Sequence, residues 1–68
     1  MWTVECIIKT PEMLSEIIGI SGTRTQAIDL ADDVRNRIDP EVHWQQKVAL
    51  DDVLVWEHDG CLIKVKKR

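Results

Sequence analysis

Phenylalanine and tyrosine are absent from this 68-residue sequence, whose aromatic content is three tryptophans, Trp2, Trp44 and Trp56. One or two of them are expected to anchor the core, each a large apolar body with one N–H that needs a partner. Any tryptophan left at the surface would be a candidate contact residue. No apolar run approaches the roughly 18 residues that a membrane span requires. No charged opening followed by an apolar stretch marks a secretory signal, so the cytoplasm, with reduced thiols, is the expected compartment. Repeats and low-complexity segments are also missing.

Ligand and catalytic patterns are equally sparse. The possible metal ligands are Cys6, His43, His58 and Cys61. A structural zinc wants four ligands, usually offered as close pairs, and only His58 and Cys61 are close, flanking a turn. Both cysteines fall on strand faces expected to point inward, where a thiol behaves as a small hydrophobe; on neighbouring strands Cys6 and Cys61 could bridge in an oxidising setting, but reduced core residues are the expected state. Asp32-Asp33 and Asp51-Asp52 are sequence neighbours whose side chains diverge, so neither pair converges as general acid–base work demands. Gly19-Ile20-Ser21-Gly22-Thr23 precedes a helix but lacks the lysine of a phosphate loop and the third glycine of a dinucleotide fingerprint. No metal, cofactor or enzymatic activity is expected.

Net basic charge is lacking too: 12 acidic residues face 9 basic ones, for a net charge of −3. That disfavours a general nucleic-acid binder, which would want a basic surface. The basic residues gather at the end, as Lys64-Val65-Lys66-Lys67-Arg68.

What the sequence does contain is pattern. Trp2 to Lys9 alternates, with Trp2, Val4, Cys6 and Ile8 on one face and Thr3, Glu5, Ile7 and Lys9 on the other, which predicts a strand. Thr10-Pro11-Glu12 breaks it. Met13 to Ile20 is open to two readings. One is a helix capped by Thr10; the other, favoured by Ile17, Ile18, Ile20 and Gly19, is a strand returning antiparallel over Leu14 to Ile20. Thr23 to Gln26 fits a capping box, opening a helix whose stripe is Ala27, Ala31, Val34 and Ile38, flanked by Ile28 and Leu30. Its opposite face carries Asp29, Asp32, Asp33, Arg35, Asn36 and Arg37. Asp39-Pro40 ends it.

Val42 to Leu50 reads as a strand with Val42, Trp44, Gln46 and Val48 together on one face. Val53 to Lys66 reads as a hairpin around Asp59-Gly60, the pair suited to a two-residue type I′ turn. That turn sets a register of His58 with Cys61, Trp56 with Ile63 and Leu54 with Val65. On the other face it sets Glu57 with Leu62, Val55 with Lys64 and Val53 with Lys66. The expected fold is one α+β domain over 1–68, one helix on an antiparallel sheet of four to five strands in the order ββαβββ. A core this small contributes only about 3–5 kcal/mol of net stability, so a second copy of the chain would help.

One helix covers one sheet face. Ile7, Val53, Val55 and Leu62 point to the other, among Glu5, Glu57, Lys64 and Lys66, and an apolar patch rimmed by charge marks an interaction surface. With its strand ending Ile7-Ile8-Lys9 and its hairpin tip Glu57-His58-Asp59-Gly60, this layout resembles small phage and mobile-element proteins of the anti-CRISPR kind. That resemblance implies a non-enzymatic inhibitor or adaptor and carries over no functional residue. The expected partner is a larger protein or complex, with a homodimer as a further possibility. The candidate contacts are Val53, Val55, Leu62 and Lys64 on the sheet and Asp29, Asp32, Arg35 and Arg37 on the helix. The alternatives are a nucleic-acid binder using Lys64, Lys66, Lys67, Arg68 and an exposed Trp44 as a stacking platform, and a small-ligand protein or enzyme with a site at a dimer interface.

Overall fold

A computed structural model describes residues 1–9, 14–38, 41 and 43–68. The elements are β1 (Trp2–Ile8), β2 (Leu14–Ser21), α1 (Arg24–Ile38), β3 (Gln45–Ala49), β4 (Val53–His58) and β5 (Cys61–Lys67). The expected ββαβββ order is the observed one, with one helix on a five-stranded antiparallel sheet of spatial order β2-β1-β5-β4-β3. Residues 13–20 follow the strand reading from Leu14 onward. The segments Thr10 to Met13, Asp39-Pro40 and Val42 lie outside the described residues.

The turn chemistry set the hairpin. Asp59 has φ 46° and Gly60 φ 79°, the positive angles a type I′ turn demands. All six β4–β5 pairs have the register expected from it. The helix start also follows its local signal. The Gln26 N–H donates to Thr23 Oγ1 at 3.2 Å, and the Ala27 N–H donates to the Thr23 carbonyl at 3.1 Å. A donor left free at the helix N-terminus is thereby satisfied.

The core lies between α1 and the sheet face that carries Trp2, Val4, Leu54, Trp56, Ile63 and Val65, with Ala27 and Ala31 buried on the helix. The small alanines allow close approach. So does Gly19, where a Cβ would overlap the end of the Leu30 side chain. Ile38, assigned to the helix stripe, is instead 48% exposed. On β1, burial falls from Trp2 and Val4 to half-buried Cys6 and exposed Ile8. The helix shields one end of the strand and leaves the other open.

Two inserted residues depart from simple alternation. The β1–β2 register shifts between Val4 and Glu5, so Ile17 and Gly19 face adjacent β1 residues with Ile18 between them. The β3–β4 register shifts between Gln46 and Val48. The expectation that Gln46 and Val48 share a face is therefore corrected. Gln46 sits opposite Trp56 on the helix side, and Val48 sits opposite Val55 on the other. A bulge adds one residue to one strand and reverses the parity beyond it. The strand itself is shorter than 42–50 and excludes Trp44.

Candidate interaction surface

The face away from α1 is assembled by register from all five strands. It carries Ser15, Ile17 and Ile20 of β2, Thr3, Glu5 and Ile7 of β1, Leu62, Lys64 and Lys66 of β5, Val53, Val55 and Glu57 of β4, and Val48 of β3. Among the described residues no second layer covers it. The expected contacts Val53, Val55, Leu62 and Lys64 are all here, each half-buried by its neighbours. Ile17 and Ile20 are more exposed, at 48% and 58%, and extend the patch to the β2 edge. They were missed because the inserted Ile18 hides the alternation of β2. The signal that would have found them is the hydrophobic run Ile17-Ile18-Gly19-Ile20, longer than one buried face needs.

Charge is laid across this face in complementary pairs. Glu5 faces Lys64 across β1 and β5. Lys9 Nζ lies 2.6 Å from Glu57 Oε2. That hydrogen bond, with the Lys9 charge behind it, holds the Glu57 carboxyl below its ordinary range. Thr3, though polar, is buried between its strand neighbours, its hydroxyl donating to the Lys66 carbonyl at 3.4 Å.

The helix candidates divide. Arg35 belongs to the core side, not the solvent face. Its guanidinium lies 4.2 Å from the Trp56 ring centroid and its Nε–H donates to the Ala31 carbonyl at 3.3 Å. The physical reason is spacing, since position 35 is one turn beyond Ala31, on the buried stripe. A guanidinium over an indole is a favourable cation–π pair. Asp32 binds Arg35 at 3.2 Å, and Arg37 binds Asp33 at 2.7 Å. Of the four helix candidates, Asp29, Asp32 and Arg37 are exposed, and the latter two are engaged within the helix.

The basic end does not form one strip. Lys64 and Lys66 project from the open face, whereas Lys67, opposite Trp2, projects from the other. The Arg68 N–H donates to the Met1 carbonyl at 2.9 Å, which ties the backbone of the last residue to that of the first. Trp44 is not an exposed stacking platform. It is half-buried against the core and edge-on to His58 at 5.7 Å, and its indole N–H has no partner among the described residues.

At the end of the β1–β2 pair, beyond α1's cover, Cys6, Ile8, Leu14, Ser15 and Glu16 line an open cleft of about 390 Å³. Among the described residues no group of three His, Cys, Asp or Glu side chains is placed to hold a metal ion. Cys6 and Cys61 face the helix side as expected but are half-buried rather than buried. Among the described residues no helix is long and apolar enough to cross a membrane. No family model, curated protein or solved structure matches the chain.

Proposed function

We propose that this chain is a non-enzymatic binding module, an inhibitor or adaptor that docks on a larger protein through the open face of its sheet and acts in the cytoplasm. One observation carries the reading. A five-stranded sheet with a single covering helix leaves Ile17, Ile20, Ile7, Leu62 and the valines of β3 and β4 on one continuous face. Glu5, Glu57, Lys64 and Lys66 are interspersed. Burial of the aliphatics would supply affinity, and the mixed charges would fix orientation and speed encounter. The helix supports this role less well, because Asp32, Asp33, Arg35 and Arg37 already satisfy one another. The layout is what ties the reading to small inhibitors of phage and mobile elements.

The test is a paired capture from the native host with tagged wild-type protein, an Ile17→Lys/Ile20→Lys variant and an Asp29→Lys/Arg37→Glu variant. The expected outcome is one stoichiometric partner retained by wild type and the helix variant and lost by the sheet variant. Equal capture by all three would overturn the assignment of the surface. Sedimentation of the purified chain decides whether a second copy occupies the face instead.

A further inference from the structure

The two cysteines of the sequence, 55 residues apart along the chain, are brought together by the pairing of β1 with β5, with their Sγ atoms 3.8 Å apart. In that ladder Cys6 faces Ile63 and Cys61 faces Ile8, so the thiols are diagonal neighbours on the helix side of the sheet. Both are half-buried, and Cys6 also lines the open cleft beyond the helix. The pair is therefore in contact and within reach of a small solute.

Diagonal placement decides what kind of bond this pair would make. Diagonal positions across an antiparallel pair are about 7–8 Å apart at Cα, somewhat less at Cβ. An unstrained disulfide wants Cβ atoms about 3.5–4.5 Å apart. Closing the Sγ atoms from 3.8 Å to bonding distance across a diagonal would draw the strands together locally, and a bond made under strain is more readily reduced. We infer that Cys6 and Cys61 form a reversible dithiol–disulfide pair, exchanged with a small-molecule thiol–disulfide couple of the glutathione class.

The exchange balances with glutathione disulfide as the oxidant. The Cys6 thiolate attacks one sulfur of glutathione disulfide, forming a mixed disulfide and releasing one glutathione thiolate. Cys61 then gives up its proton and attacks the Cys6 sulfur, closing the intramolecular bond and releasing the second glutathione. The protein loses two hydrogens, and one glutathione disulfide becomes two glutathione molecules. Cys6 is assigned the first step because it lines the cleft. Burial and the hydrogen bond with Cys6 push the Cys61 thiol up to about 11, so it must lose its proton as it closes the bond. Closure would fasten β1 to β5 directly behind the Ile7–Leu62 pair of the open face.

The experiment equilibrates purified, folded protein with glutathione buffers from fully reduced to fully oxidised, quenches with acid, and reads intact mass and maleimide labelling. The expected result is a monomer lighter by two hydrogens. It should lose both labelling sites, appear while reduced glutathione is still present, and revert fully on adding dithiothreitol. Cys6→Ser and Cys61→Ser variants should each stop at a single glutathione adduct. Wild type that keeps both thiols free, stops at glutathione adducts or links to a second chain would overturn the inference. So would a bond formed only after unfolding in urea. None of these results depends on whether the open face binds a partner.

Discussion

The two faces of one sheet are built from the same strands and meet different fates. Toward the helix, Val4, Ile63 and Val65 are sealed completely from solvent, and both tryptophans of that layer are buried. One residue along the same strands, Ile7, Leu62 and Lys64 stand only half-covered, shielded by their neighbours alone. The difference is not hydrophobicity, since leucine, isoleucine and valine occur on both sides. It is the presence of a second layer. Apolar surface stabilises a fold only when something removes it from water. The helix does so for one side, and the other side holds apolar area that the described part of the chain does not use.

The sharpest way to break this comparison is to truncate neighbours that face opposite ways. Ile63→Ala should lower stability to urea by about 3 kcal/mol and Leu62→Ala by about 1 kcal/mol or less. Equal losses would show that the open face is core. Next is the helix–sheet approach at Gly19. Gly19→Ala pushes a methyl into the end of Leu30 and should cost about 1–2 kcal/mol. Gly22→Ala, where the nearest atom to a new Cβ is 3.9 Å away, should stay within about 0.5 kcal/mol. Similar midpoints for the two alanine variants would mean that the Leu30 side chain swings aside to admit the methyl.

A smaller effect distinguishes the arginines of the helix. Arg35→Ala removes the guanidinium from Trp56 and should cost about 1 kcal/mol, visible also as a change in tryptophan fluorescence. Arg37→Ala breaks a largely exposed ion pair and should change stability by about 0.5 kcal/mol or less. The smallest effect is electrostatic and lies on the open face. Lys9 holds the folded Glu57 carboxyl below its ordinary value of 4.5. The ionised group therefore adds stability above that ordinary value, and the contribution disappears as pH falls through the lower, folded value. Wild type should exceed Glu57→Gln in urea midpoint at neutral pH and converge with it in acid, with the gap shrinking in high salt. A gap that persists in acid would show that packing, not charge, links Lys9 to Glu57.

Much of the fold could be read directly because its signals are local. Asp59-Gly60 specified a turn, and the turn specified six cross-strand pairs. Thr23 and Gln26 marked the helix start through one hydrogen bond from the Gln26 N–H to the Thr23 hydroxyl. The candidate site was only partly legible. Val53, Val55, Leu62 and Lys64 follow from the hairpin register, and they lie where that register puts them. Ile17 and Ile20 were hidden because one inserted residue, Ile18, reverses the parity that alternation relies on. Lys47 hides the turnover of β3 in the same way. Arg35 was misplaced because its charge suggested solvent, while its spacing from Ala31 put it over Trp56.

What the sequence determined by itself was the helix, the first strand and the β4–β5 hairpin with its register, whereas over residues 13–20 it left strand and helix both open. Turn geometry, capping and period-two alternation act over a few residues and need no distant partner. The tertiary structure alone decided that the first and last strands lie side by side. That pairing joins residues at opposite ends of the chain, and nothing local encodes it. From it follow the meeting of Cys6 with Cys61 and of Glu5 with Lys64, and the continuity of the open face from β2 to β3. A long-range ladder forms only when the whole layer assembles, so its consequences are written in the folded shape rather than in any short stretch of residues.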